Sequence, residues 1–236
     1  MATKTIELDG VGTVTLVKHS ANRNIRLSVS SGGVRVSMPR WSSFTAGQAF
    51  AQQHISWIQQ ELAKQSGPTL ESGERIGKLH YLRFEQVLDD KPVTSRVTGT
   101  EIIVRLRSSE SIDSKVVQTR VEKASIRALK REAERLLPPR LENLSIKYGK
   151  RYKDVSVKQL KRRWGSCDNH QNITLNLYLM ELPWEYVDYV LLHELAHTQE
   201  MNHGPDFWRV LTRMEPRARD LAKQLRAHQP TLGTWK

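Results

Sequence analysis

A chain of 236 residues with 38% hydrophobic content can bury one large core or two small ones, which excludes a disordered tail. Its longest apolar runs fall far short of a bilayer span, and Met1-Ala2-Thr3-Lys4 leads into a strand-like pattern, so no membrane helix or leader is expected and the chain reads as cytoplasmic. The single cysteine, Cys167, excludes an internal disulfide framework and fits a reducing compartment, while the net charge of +12 raises the question of an anionic partner.

The first forty residues alternate as strands do. Thr13 to Val17, Ile25 to Val29 and Val34 to Met38 are predicted strands, the last two joined by a turn at Ser31-Gly32-Gly33, and antiparallel pairing is expected. Pro39 closes the third, and Ser42-Ser43 can cap a helix that carries Phe50, Ile55, Trp57, Ile58 and Leu62 at helical spacing until Ser66-Gly67-Pro68. Two more strands are predicted around Tyr81 to Val87 and Glu101 to Leu106. From Ile112 the pattern becomes a long Lys/Arg-rich helix through Val116, Val121, Ala124, Leu129, Ala133 and Leu136, which Pro138-Pro139 should break or kink. A shorter helix through Leu141, Leu144 and Tyr148 should then stop at Gly149. The change of pattern sets the expected boundary near residue 110: an N-terminal β-rich domain with one helix over 1–110, then a second domain over 111–236.

Val155 to Leu160 reads as a short strand and Trp164 to Asn169 as a turn. Ile173 to Leu179 alternates, with Ile173, Leu175, Leu177 and Leu179 toward the core, giving a hairpin. Pro183 suits the start of a helix, with Glu185 near its positive end. The basic charge is concentrated just before this region. From Lys115 to Arg163 there are 16 Lys+Arg against 5 Asp+Glu, a surplus of 11, whereas from Trp164 onward 7 stand against 9. Such a stripe can attract nucleic acid by counterion release, or it can be a solvated helix face. Its two aromatic residues, Tyr148 and Tyr152, offer little stacking surface for single strands.

The chemistry is carried by His193-Glu194-Leu195-Ala196-His197 with His203 following. Histidines four apart on a helix share one face, so both imidazoles can reach one metal ion, and a carboxylate beside them can serve as general base. Val187, Val190, Leu191 and Leu192 make this helix apolar, where two histidines and a glutamate need a partner such as a cation. His203 follows after five residues, through Asn202 and before Gly204, which favour a turn back toward the site. Three protein ligands with one open position mark a catalytic rather than a structural zinc site. Imidazole suits zinc, which favours His203 as third ligand; Glu215 and Asp206 are the alternatives. The spacing matches a metzincin pattern, but Glu200 stands where that pattern has glycine.

Arg163-Trp164-Gly165-Ser166-Cys167, Asn172 to Asn176, Tyr189-Val190 leading into His193 to His197, and Asn202-His203-Gly204 with Phe207-Trp208 resemble the YgjP-like family of metal-dependent hydrolases. The resemblance is strong over about 150–210 and looser at the N-terminal strands and Trp57-Ile58. It implies a zincin-type metallopeptidase fold related to SprT-like proteases, with His193, His197 and His203 as ligands and Glu194 as catalytic acid/base. In zincins generally a strand beside the active-site helix presents a free edge to an extended peptide, and Ile173 to Leu179 is similar in position. Arg163, Trp164 and Ser166 are candidates for positioning substrate, and Thr174 and Asn176 for contacting it. Cys167 reads as a small buried thiol, with metal ligation the alternative; Tyr186 and Tyr189 read as core or as supports of the site, and His170 as a surface residue.

The expected protein is α+β: an N-terminal β-rich portion plus a zincin-like domain with an HExxH helix and a small antiparallel sheet. The expected function is zinc-dependent hydrolysis of peptide or similar amide bonds in peptide or protein substrates. The alternative is a nucleic-acid-associated protein using the basic segment 115–163, with a structural metal or as a DNA-recruited protease.

Overall fold

A computed structural model describes residues 2–30, 33–65, 69–88 and 91–232. The chain divides into two compact units, Met1–Pro68 and Thr69–Lys236. The division therefore falls about forty residues before the change of sequence pattern near 110, because the strands between 69 and 110 share a core with the long helix that follows them.

In the first unit, β1 (Ala2–Leu8), β2 (Gly12–His19), β3 (Arg26–Ser30) and β4 (Gly33–Pro39) form one sheet in the order β1-β2-β4-β3. The two hairpins are antiparallel as expected, but β2 and β4 pair in parallel, a long-range choice that local alternation does not encode. Val14, Leu16, Val34, Val36 and Met38 share one buried face with Ala51 and Ile58. Ser43 caps α1 (Phe44–Gln53) by accepting from the Ala46 N–H at 3.1 Å. The expected single helix is two, because His54 leaves helical geometry before α2 (Ile55–Gln65) begins. Ile58 is buried while its neighbour Trp57 is largely outside. Ser31-Gly32 and Ser66-Gly67-Pro68 lie outside the described residues.

The second unit begins with β5 (Arg75–Ile76), β6 (His80–Val87), β7 (Thr94–Val97) and β8 (Glu101–Arg107), ordered β5-β6-β8-β7. The sequence pattern found β6 and β8 and missed β5 and β7, short edge strands without a hydrophobic run. Ile76, Leu82, Ile102, Val104 and Leu106 pack with Val117, Val121, Ala124, Ala128 and Leu129 of α3 (Lys115–Tyr148). Glu132 of α3 is buried and pins the turn before β6: its carboxylate accepts from the backbone N–H of Lys78, Leu79 and His80 and faces the His80 imidazole at 2.6 Å.

Pro138 and Pro139 do not end α3, which runs unbroken for 34 residues to Gly149, whose left-handed φ of 62° caps it. The missing N–H groups would have served the carbonyls of Glu134 and Arg135, both exposed, so water can serve them instead. Fully buried Leu137 and Leu141 hold the helix to the core on either side of the break in its ladder.

Then come β9 (Asp154–Lys158), β10 (Gly165–Cys167) and β11 (Asn172–Asn176), in the order β10-β11-β9. The expected turn at 164–169 contains a strand. The hairpin is β10 with β11, and β9 runs parallel to β11. Ile173 and Leu175 point inward as predicted, but strand geometry stops at Asn176, and Leu177–Glu181 is a 3₁₀ turn that buries Tyr178 along with Leu177 and Leu179. Three helices follow: α4 (Trp184–His197), α5 (Pro205–Met214) and α6 (Ala218–Leu225). The architecture is α+β. Among the described residues no helix is long and apolar enough to cross a membrane.

Candidate metal centre and active site

Helix α4 is fixed before it reaches the histidines. Pro183 stands at its N-cap and Glu185 in its first turn. Trp184 lies under the cationic groups of Lys78, at 5.0 Å, and Arg140, at 4.5 Å, and Arg140 forms a two-pronged ion pair with Asp188. Val187, Leu191, Leu195 and Ala196 bury its length.

His193 and His197 stand one turn apart on this helix, with their Nε2 atoms 3.1 Å apart. After α4 the chain turns, Gly204 N–H bonding the Asn202 carbonyl at 2.7 Å, and places His203 Nε2 3.0 Å from that of His193. The three ligand atoms lie within 4.8 Å of one another. Phe207 of α5, wholly buried, touches all three imidazoles, with ring centroids at 4.9, 4.5 and 4.7 Å from His193, His197 and His203. This floor under the cluster escaped the sequence reading, although an apolar residue one turn after the third histidine was there to be seen.

The ring of His197 is held in the tautomer that a metal needs. His197 Nδ1 faces the Glu200 carbonyl at 3.0 Å and can only donate to it, which leaves Nε2 with its lone pair. Tyr189 Oη lies 3.4 Å from His193 Nδ1, giving Tyr189 a supporting place beside the site. Burial, then the neighbouring His197 and His203, lowers the His193 pKa to about 3, and burial also lowers that of His197. Neutral imidazoles with lone pairs directed at each other across about 3 Å repel unless a cation lies between them, so the donor set fits a divalent metal.

Glu194 is 4% exposed, and its Oε2 is buried without a hydrogen-bond partner among the described residues. Burial pushes its carboxyl up to about 8, with the Arg163 charge pulling the other way. A side chain at Gly165 of β10 would put its Cβ 2.6 Å from Glu194 Oε1 and 2.9 Å from its Cγ. Glycine is therefore what lets the strand lie against the carboxylate. The signal was present in the sequence as a glycine at what proved to be a strand position.

His193, Glu194 and His203 open onto a cleft of about 450 Å³ walled by Trp164, Tyr189, Val190, Trp208 and Leu225, with Arg162, Arg163 and Arg226 around it. Of the substrate-contact candidates, Arg163 and Trp164 line this cleft and Ser166, Thr174 and Asn176 do not. Strand alternation explains the first two absences: Gly165 faces Glu194, so Ser166 and its cross-strand partner Thr174 face the other side, where Thr174 Oγ1 meets Ser156 Oγ at 3.2 Å. Asn176 is 0% exposed. Its amide donates to the Leu160 and Arg163 carbonyls and accepts from Leu160 and Tyr178 N–H, so it shapes the 160–164 loop and has no free group for substrate.

The rival ligands are engaged elsewhere, Glu215 with the Arg217 N–H at 3.0 Å and Asp206 with Arg209 at 2.6 Å. Cys167 stays outside the histidine cluster, and burial, then the charges of Glu194 and Asp168, pushes its thiol up to about 11. Tyr186 bonds Gln224, and His170 is exposed. Of the basic segment, Arg127 and Arg131 bond Ser95 and Val97, Lys130 pairs with Glu134, Arg140 with Asp188, and Lys150 with Gln199, so part of that charge serves the fold.

Three imidazoles around one point, beside a buried carboxyl oxygen with no partner among the described residues, have a common explanation in a metal-dependent hydrolase. Sequence comparison gives the same class: the model of the YgjP-like metallopeptidase domain matches residues 23–228, and the chain belongs to that family. It is a metal-dependent hydrolase of the metallopeptidase kind. Among solved structures it is similar to the metallopeptidase zymogen abylysin of Pyrococcus abyssi, at 26% identity over 38% of this chain and 91% of abylysin, with a TM-score of 0.35. It is also similar to the zymogen jannalysin of Methanocaldococcus jannaschii, at 20% identity over 42% and 92% of the two chains, with a TM-score of 0.32. A search of curated proteins returns no significant match.

Proposed function

We propose that the protein is a zinc peptidase in which His193, His197 and His203 hold the metal and Glu194 is the general base. A three-imidazole donor set suits zinc, which when bound supplies a Lewis acid that activates water and polarises a carbonyl. Glu194 takes the proton from the attacking water and returns it to the leaving amine. Burial suits it to both steps, because a carboxyl titrating near neutrality exchanges a proton readily in either direction. Tyr189 keeps its proton, its pKa pushed up to about 12 by burial and then by Glu194, so its oxygen stays neutral beside His193.

The substrate backbone has a place to pair. The sequence reading gave the free edge to the strand at 173–179, but β11 is central, with β10 on one side and β9 on the other. The edges are β9 and β10, and β10 is the one that lies against Glu194. Trp164 and Asp168 bond β11 at its two ends, so by antiparallel alternation Gly165 and Cys167 direct their N–H and C=O groups outward. An extended peptide added there runs past the Glu194 carboxylate.

The observation that carries the reading is the orphaned Glu194 Oε2 beside the histidine cluster. The test is metal content and hydrolysis measured together. Glu194→Gln should retain metal and lose about 10²–10⁴-fold in kcat. His203→Ala should lose metal while Glu215→Ala keeps it; full occupancy in His203→Ala rejects the ligand assignment.

A further inference from the structure

The cleft is basic although most of its wall comes from a slightly acidic stretch, because Arg162 and Arg163, the end of the basic 115–163 segment, reach it beside Arg226. From Trp164 onward acidic residues outnumber basic ones by 9 to 7. Yet among the described residues lining the cleft there are three arginines, Arg162, Arg163 and Arg226, and one carboxylate, that of the proposed base Glu194.

Three other arginines of this unit are matched, Arg140 with Asp188, Arg209 with Asp206 and Arg217 with Glu185. Arg163, just before β10, and Arg226, just after α6, are exposed, and neither guanidinium has a hydrogen-bond or ion-pair partner among the described residues. They approach from different elements, yet both reach the site electrostatically: the Arg163 charge acts on Glu194 and the Arg226 charge on Tyr189, the neighbour of His193. Exposed unpaired cations add little to fold stability. A guanidinium, however, offers a planar fork of donors that fits a carboxylate, and apolar walls of Trp164, Trp208 and Leu225 strengthen that attraction by reducing the surrounding water.

We infer that the cleft selects peptides bearing a carboxylate close to the scissile bond, with Arg163 and Arg226 as the specificity-determining residues. This rests on the peptidase reading above. The carboxylate is either an Asp or Glu side chain or the C-terminal carboxylate of the substrate itself. Lysine or arginine at the same place meets repulsion, so the selection works both by attraction and by exclusion.

The test uses zinc-loaded full-length protein and peptides that differ at single positions around one cleavable bond, carrying Glu, Gln or Lys with both ends blocked, and a matching pair with free or amidated C-terminus. A charge-assisted pair is worth roughly a factor of 10–100 in kcat/KM, so preference for Glu over Gln of that order, larger over Lys and shrinking with added salt, is expected in one arm or the other. The arm that shows it names the source of the carboxylate. Arg226→Glu, and separately Arg163→Glu, should lower the Glu-to-Lys ratio of kcat/KM by at least about tenfold, a swap that a structural role would not produce. Equal cleavage of all peptides, or variants that keep the wild-type ratio, overturns the inference while leaving the peptidase reading intact. The same peptides titrated by anisotropy onto zinc-loaded Glu194→Gln read selectivity without turnover. Equal affinity of acidic and basic peptides there overturns the inference even if no peptide is cleaved, and absence of cleavage alone counts against the peptidase.

Discussion

Replacing Gly165 by alanine adds one methyl group at the point where β10 and α4 come closest. That carbon would sit 2.6 Å from Glu194 Oε1, 2.9 Å from its Cγ and 3.0 Å from its Cδ, against about 3.5–4 Å for a relaxed carbon contact. The side chain of Glu194 must therefore move by roughly 1 Å, and it is buried, so it cannot simply swing into water. A misplacement of that size typically costs about 10²-fold in rate. Gly165→Ala should thus lower kcat by about two orders of magnitude while the three histidines keep their metal, since the three nearest contacts of the new methyl are all with Glu194. Steady-state peptide cleavage alongside metal analysis checks this. Activity within about threefold of wild type would refute the role given to the Glu194–Gly165 contact, and loss of metal would show that the strand positions the ligands instead.

Glu132→Ala strands the N–H groups of Lys78, Leu79 and His80 and should cost about 3–5 kcal/mol in denaturant unfolding of the second unit. Replacing Pro139 with alanine restores a donor to the exposed carbonyl of Arg135 without disturbing Leu137 or Leu141, and should raise the melting temperature by a few degrees, at about 2–4 °C per kcal/mol. In chelator-stripped protein, the His193 pKa near 3 lies below its unfolded value of about 6.5, so the folded state binds fewer protons in that window and stability falls as pH drops through it. Glu194, near 8 against about 4.5 unfolded, acts oppositely, its contribution being lost as pH rises through that range. Denaturant melts across pH should therefore show acid loss that is smaller in His193→Gln and alkaline loss that is smaller in Glu194→Gln; an unchanged pH profile in either variant refutes the assignment.

What the sequence made legible was local. The meeting of His193 and His197 follows from helical spacing and that of His203 from a short turn, so the histidine cluster needs only one helix and the loop after it. The caps at Ser43 and Gly149 were readable for the same reason. What depends on distant partners was not. β9 and β10 flank β11 because of pairing set elsewhere in the fold, so the edge beside Glu194 is Gly165–Cys167 and not Ile173–Leu179. Asn176 looked available to substrate because polar residues are usually exposed, whereas here it is buried by the loop it ties down. The two prolines of α3 read as a stop because propensity is local, while the packing of Leu137 and Leu141 is not.

Phe207 follows His203 by four residues and lies against every ring of the triad, so helix α5 supplies the floor while the segment leading into it supplies the third imidazole. With the proposed ligand set, loss of the ion and fraying of that helix are coupled events. A chelator should strip the protein at a rate that stops rising with chelator concentration once it reaches the rate at which α5 opens, and truncating Phe207 to alanine should quicken that release. The residence time of the metal is in this sense written into the hydrophobic core rather than into the ligands alone.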